Sequence, residues 1–167
     1  MKDKAEGPRG RSPAERGWTE EQAVALRVWI SLARCYATFA RAVATRVAEY
    51  GLTTPQFGVL EALHHLGPLT LGDLAEKLLV TGGNITYVMD RLETQGLVTR
   101  ERCGEDRRVF WATLTAEGEE KIASVFPDHV EFIEELVSAI EPHEREALRE
   151  LLKKLGWATQ SNSMPRI

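Results

Sequence analysis

The stretch VTGGNITYVMDRLETQGLV, residues 80 to 98, combines two glycines with side chains that can bind a polar ligand. Gly82 and Gly83 begin a helical pattern, although glycine is the poorest helix former apart from proline. A helix start without side chains allows a close approach, and its N–H groups favour a phosphate. The glycines therefore indicate contact with a phosphate chain, and the alternative is a flexible turn between two helices.

The helix after the glycines has an apolar side and a polar side. Apolar residues at helical spacing predict a buried face, made of Ile85, Val88, Met89 and Leu92. Polar side chains on the opposite face can hydrogen-bond to a base edge or a phosphate. Arg91 would reach a phosphate or pair with Asp90 or Glu93. The candidate DNA-binding residues of this helix are Thr81, Gly82, Gly83, Asn84, Thr86, Tyr87 and Arg91.

Arginines gather in the next segment, where the hydrophobic period changes from that of a helix to that of a strand. The runs LVTRERC and RVFWATL predict a β-hairpin around GEDR. Arg107 and Arg108 stand at or near its tip, where a guanidinium can enter a minor groove. Asp106 would orient a neighbouring arginine by a charge-assisted hydrogen bond, and Arg100 and Arg102 lie on the incoming strand. The alternative is a solvated turn of mixed charge.

Helices are predicted on both sides of this segment. Residues 19 to 49 form one long helix that is apolar on two faces, which favours a partner helix from another chain. Thr54 as cap and Pro55 at the first helical position begin a second helix, and LTLGDLAEKLL forms a short third one. After the hairpin, helices are expected from Thr115 to about Ile140 and from Pro142 to Leu155.

Composition limits the class of protein. The 167 residues suit one domain, and no run of 18 apolar residues indicates a membrane span. Two cysteines exclude a disulfide scaffold and fit a reducing cytoplasm. Net charge is −4, but residues 117 to 150 carry eleven acidic and three basic side chains, so the remainder is mildly basic. That asymmetry fits one face turned to a polyanion, or simply a solvated helix face.

From about Thr54 to Ile122 the sequence resembles the MarR family of bacterial winged-helix regulators. The matching motifs are LTLGDLAEKL, RLETQGLV and DRRVFWATLTAEG. The last fits the wing signature of the family, supplied here by Asp106, Arg108, Leu114, Thr115 and Gly118. Elsewhere the chain agrees only in layout, with a long first helix and two closing helices.

The resemblance implies a mainly α fold with a small β-hairpin wing, a winged helix-turn-helix with long N- and C-terminal dimerisation helices. It implies a homodimer on double-stranded DNA with a pseudo-palindromic operator, the helix of residues 81–91 in the major groove and Arg108 in the minor groove. It also implies repression that is relieved by a small phenolic or other aromatic compound, or by oxidation. The expected domains are a disordered leader (1–17), an N-terminal dimerisation helix (18–50), the DNA-binding lobe (51–116), C-terminal dimerisation helices (117–157) and a tail (158–167).

Small-molecule pockets of the family lie between the long helix and the DNA-binding lobe. Aromatic residues at helical spacing are more often core or dimer packing than pocket walls. The candidates for lining such a pocket are Trp29, Tyr36, Phe39, Phe57 and His64.

Oxidation is the alternative switch. Trp29 stands where peroxide sensors of the family carry their reactive cysteine. Cys35 is expected to be packed, which would blunt its reactivity, while Cys103 near the wing is beside Arg102. Both are candidate redox residues, and an incidental role is the alternative.

Other functions are disfavoured. The adjacent His64 and His65 point about 100° apart on a helix, so no metal site is expected. No phosphate-binding loop or catalytic set is present in the sequence, so neither an enzyme nor a cofactor is predicted. A protein-binding winged helix is the stronger rival, but such a module has no need of arginines in its wing.

Overall fold

The computed structural model describes residues 17–102 and 109–162, which form six helices and a small three-stranded sheet. Residues 1–16 of the expected leader lie outside the described residues. The chain divides into two units, residues 1–45 and 46–167. The predicted fold class, mainly α with a β-hairpin wing, is confirmed.

Helix α1, Glu20–Glu49, confirms the long helix predicted over residues 19 to 49. It begins with reciprocal bonds, in which the backbone N–H of Thr19 donates to Oε1 of Gln22 and that of Gln22 donates to Oγ1 of Thr19. Apolar side chains of its first half are exposed in the single chain, including Val28, Trp29 and Tyr36.

By length and composition alone, α1 is the one helix in the described part of the chain that could cross a membrane. Charged residues nevertheless recur along it every seventh position and are exposed, at Glu20, Arg27, Arg34 and Arg41. Residues seven apart lie nearly on one helix face, so this face is charged along its length. The arrangement favours a helix that keeps one face in water and packs its apolar faces on protein.

The helix-turn-helix follows as α2, Thr54–Leu66, α3, Leu71–Lys77, and α4, Gly82–Thr94. The predicted cap of α2 was wrong by one residue. Thr53 is the cap, because its Oγ1 accepts the N–H of Gln56 while the Gln56 side chain accepts the N–H of Thr53. Thr54 is therefore the first helical residue, and Pro55 is the second.

Helix α3 is joined to α4 by a turn with defined hydrogen bonds. The N–H of Val80 donates to the carbonyl of Ala75 at 2.9 Å, and that of Leu79 donates to Glu76 at 3.2 Å. Leu79 has φ +53° at the position where glycine is most common, and its side chain is 82% exposed. The turn therefore ends before the two glycines, which are helical, and the flexible-turn alternative for them is wrong.

The sheet has one strand more than the sequence predicts. Strands β2, Val98–Arg102, and β3, Phe110–Leu114, form the expected antiparallel hairpin. β1, Leu69–Thr70, pairs with the other edge of β3 and gives the order β1-β3-β2. Two residues are too short for a strand period to be visible in sequence.

Helix α5, Ala116–Val137, begins against the end of α4 at a very close contact. The hydroxyl of Thr115 donates to the carbonyl of Gly96 at 2.6 Å, and its N–H donates to that of Leu97 at 3.1 Å. A Cβ on Gly118 would lie 1.9 Å from the Leu97 carbonyl oxygen. Three residues of the wing signature, Leu114, Thr115 and Gly118, thus belong to a structural junction.

Helix α6, Pro142–Asn162, is longer than predicted. The expected end at Leu155 was wrong, and residues 158–162, which were expected to belong to a tail, are helical. Ion pairs within the helix support it, such as Arg149 with Glu146 and Lys153 with Glu150. Gly156 does not stop the helix, because a single glycine costs only about 1 kcal/mol.

Gly118→Ala should lower the free energy of unfolding by about 1–3 kcal/mol, the usual cost of overpacking, because backbone atoms must move to admit the methyl group. Gly72→Ala is the matched control, since it also lies in the first turn of a helix and its Cβ would meet only Thr70 Oγ1 at 3.6 Å. Denaturant unfolding of both variants measures the difference. Equal stability of the two variants would contradict the close contact.

Candidate nucleic-acid interface

Helix α4 is anchored by the four apolar residues that its period predicts. Ile85, Val88, Met89 and Leu92 are each at most 5% exposed. A helix fixed along this face must present its opposite face to solvent. Asn84, Thr86, Tyr87 and Arg91 are exposed there, as predicted.

Gly82 and Gly83 lie in the first turn of α4 and are exposed. Thr81 caps the helix, its Oγ1 accepting the N–H of Asn84 at 3.3 Å. A Cβ added to either glycine would meet nothing within 4 Å, and neither has a positive φ. The described part of the chain therefore gives no reason for glycine at these positions.

Two side chains on the exposed face of α4 form a pair. Nε of Arg91 donates to the Tyr87 hydroxyl at 3.3 Å, and its guanidinium carbon lies 5.4 Å from the centre of the Tyr87 ring. The suggested pairing of Arg91 with Asp90 or Glu93 is wrong, because both carboxylates bind Arg100. Thr86 donates its hydroxyl proton to the Gly82 carbonyl at 2.9 Å, which leaves its oxygen as an acceptor.

Arg100 is the residue whose role the sequence did not reveal. The sequence placed it on the incoming strand, and its side chain there is only 21% exposed and lies between two carboxylates. The hydrogen bond to Glu93 raises the pKa of Arg100, so the guanidinium stays charged. The signal that could have found it is strand alternation, which turns Arg100 to the same side as the buried Val98.

The tip of the hairpin lies outside the described residues. This segment contains the two arginines predicted to contact the minor groove, Arg107 and Arg108, and Asp106, which is predicted to orient an arginine. The redox candidate Cys103 lies in it as well. The described part of the hairpin ends at Arg102, whose guanidinium lies over the ring of Phe110, 5.3 Å from its centre.

The residues suggested for a ligand pocket fall in both units. Trp29, Tyr36 and Phe39 belong to the first unit, where Trp29 and Tyr36 are exposed. Phe57 is 3% exposed in the core of the second unit, with its ring 4.4 Å from that of His129. Nδ1 of His64 lies 2.7 Å from Oε1 of Glu119, off the direction that a hydrogen bond needs.

Two polar groups near Phe57 were not anticipated. His129 is buried without a hydrogen-bond partner for Nδ1 in the described structure, and burial lowers its pKa. Tyr50 donates its hydroxyl to Oδ2 of Asp128 at 2.5 Å. Burial, followed by that bond, raises the pKa of Tyr50 to about 12. Both groups are therefore neutral at physiological pH and pack as part of an aromatic cluster.

Cys35 is exposed, so the expectation that it is packed was wrong. Its neighbours on α1 include exposed apolar residues such as Tyr36, on the helix that the sequence predicts to be apolar on two faces. The described residues hold no group of three metal-binding side chains.

Comparison with known proteins agrees with this geometry. A model described as MarR family matches residues 50–109. HTH-type transcriptional regulator MhqR of Bacillus subtilis is 36% identical over 131 residues, which cover 78% of this chain and 90% of that protein.

Solved structures share the fold. A MarR family regulator from Streptomyces coelicolor, solved in complex with DNA, has a TM-score of 0.74 at 24% identity and covers 90% of this chain and 91% of its own. BpsR of Bordetella bronchiseptica, whose DNA binding is regulated by 6-hydroxynicotinic acid, has a TM-score of 0.71 at 26% identity, over 78% of this chain and 98% of its own. With the residues of MhqR matched along most of the sequence, the chain belongs to the MarR family of winged helix-turn-helix transcription regulators, which bind DNA and are not enzymes.

Proposed function

We propose that the protein is a cytoplasmic repressor that binds a pseudo-palindromic operator as a homodimer. Each protomer places the start of α4 in a major groove and the wing tip in the flanking minor groove. Major-groove contacts come from Thr81, Gly82, Gly83, Asn84, Thr86, Tyr87 and Arg91, and minor-groove contacts from Arg107 and Arg108, with Asp106 orienting Arg108.

The open first turn of α4 is the observation that carries this proposal. Gly82 and Gly83 lower helix stability, and among the residues that the structure describes none packs where their side chains would be. Close approach of a phosphate to their N–H groups supplies the missing reason, because a Cβ would hold the helix away. The neighbouring polar side chains then lie where base edges would be.

A second copy of the chain is the partner that fits the exposed apolar helices. On α6 the exposed residues Leu148, Leu151, Leu152 and Leu155 repeat at helical spacing, and α1 exposes Trp29 and Ile30. Apolar surface of this extent is usually covered by protein. The domain organisation that we propose accordingly joins two DNA-binding lobes through the terminal helices, α1, α5 and α6.

We further propose that a small aromatic compound releases the protein from its operator. Regulation of BpsR by 6-hydroxynicotinic acid supports this chemistry, and Trp29, Tyr36, Phe39, Phe57 and His64 remain the candidate contacts. Oxidation is the second candidate, favoured by the exposure of Cys35; Cys103 is the other thiol. A protein-binding role for the wing is disfavoured by its arginines.

Gly83→Ala should separate DNA binding from stability. Replacing glycine in an unstrained helical position stabilises a protein by about 0.4–1 kcal/mol, whereas the added methyl group should weaken operator binding by about tenfold or more because it blocks the phosphate. Thr94→Ala, at the other end of α4, is the control and should leave binding unchanged. A Gly83→Ala variant with wild-type affinity would remove the helix start from the interface.

Arg108→Ala should weaken operator binding by about 1–3 kcal/mol, because it removes a charged contact in a groove. Anisotropy titrations at fixed salt measure this loss. Arg107→Ala is the comparison, and a smaller loss is expected because Arg107 is not part of the wing signature. A loss under about 1 kcal/mol would exclude the wing. The same titrations give the stoichiometry, and one protomer per operator would contradict the dimer.

Effector release is tested by adding phenolic acids, quinones or peroxides to the protein–DNA complex. A phenolic ligand should raise the unfolding temperature of the free protein and lower its affinity for DNA. Loss of DNA binding that a reductant reverses, and that Cys35→Ser or Cys103→Ser prevents, would instead identify oxidation as the switch.

A further inference from the structure

Arg100 links two neighbouring elements of the DNA-binding lobe through its side chain. It lies on β2, the strand that leads into the wing tip, and its carboxylate partners lie on α4. Asp90 and Glu93 are three residues apart, so they share one face of the helix. One side chain therefore ties the base of the wing to the helix whose start is proposed to enter the major groove.

The geometry of this contact is a fork. Nη2 of Arg100 donates to Oδ1 of Asp90 at 2.7 Å, and Nε donates to Oε2 of Glu93 at 2.9 Å, with a further short bond from Nη2 to the same Glu93 oxygen. A planar guanidinium held by several bonds restricts rotation as well as distance. Arg100 and Glu93 are 21% and 30% exposed, so solvent screens the contact less than it would a surface pair.

We propose that Arg100 is a positioning residue that fixes the direction of the wing relative to α4, without touching DNA itself. Within the described part of the chain its side-chain hydrogen bonds go to Asp90 and Glu93, so its charge is already compensated within the lobe. Two grooves of a duplex can be occupied together only if helix and wing keep a set spacing. The inference rests on the proposed mode of DNA binding.

A contribution to stability alone is the competing explanation. Removing one partner of a half-buried ion pair leaves a carboxylate without compensation and lowers stability. A folded but less stable protein still binds in both grooves, whereas a misdirected wing loses one groove selectively. The pattern of protection on DNA therefore separates the two roles.

The test uses Arg100→Met and Arg100→Lys in the full chain, with a duplex that the wild-type protein selects from a randomised pool. Hydroxyl radicals report the minor groove, and methylation of guanine N7 reports the major groove. Arg100→Met should weaken binding about tenfold, lose minor-groove protection and retain major-groove protection. Arg100→Lys, which can still pair with one carboxylate, should recover part of both losses. If Arg100→Met does not fold, Glu93→Gln replaces it in the same test, because Arg100 then keeps Asp90 as a partner.

Salt dependence distinguishes positioning from direct contact. The slope of log affinity against log salt should be the same for Arg100→Met and wild type, whereas loss of a phosphate contact would reduce it by about one. A reduced slope, unchanged affinity, or equal loss of protection in both grooves would each overturn the inference. A wild-type protein that selects no duplex would refute the proposed function itself.

Discussion

Helix α4 is held by four buried side chains, Ile85, Val88, Met89 and Leu92, and this burial determines what the rest of the helix can present. Its rotation is fixed because a turn about its axis would bring polar groups into the core. The exposed face and the open first turn at Gly82 and Gly83 follow directly. Every proposed base contact of α4 depends on this single packing constraint.

The arginines of the lobe have different tasks although they look alike in sequence. Arg100 is compensated by two carboxylates, Arg91 lies over Tyr87, and Arg102 lies over Phe110. Of these three, Arg100 is held between two carboxylates. An arginine that lies over an aromatic ring can still bind an anion. Net charge therefore says little about which arginines can meet DNA.

The sequence predicted most of the architecture because long periodic patterns decide helices and hairpins. The apolar stripe of α4 and the two strands of the hairpin were found in this way. Short-range details were missed: Thr53 caps α2 through a box with Gln56, and β1 is only two residues long. Strand alternation could have turned Arg100 inward, but its partners Asp90 and Glu93 are set by a contact between a strand and a helix, which no local pattern contains.

The wing signature combines structural and functional residues. Thr115 and Gly118 are explained by the junction with Gly96 and Leu97, where a carbonyl approaches too closely for any side chain. Asp106 and Arg108 lie outside the described residues, and their proposed role is in DNA binding. Similarity to the family thus reflects folding requirements as much as DNA recognition.

Backbone amide signals of the glycines offer the most direct measurement of the central claim, that the start of α4 meets DNA. In a ¹⁵N-labelled protein titrated with its operator, the amides of Gly82 and Gly83 should show some of the largest shifts, because a phosphate would accept their protons. The amides of Gly58 and Gly118, which lie beside Leu78 and Leu97, should change little. Operator binding that leaves the Gly82 and Gly83 signals in place would contradict the account.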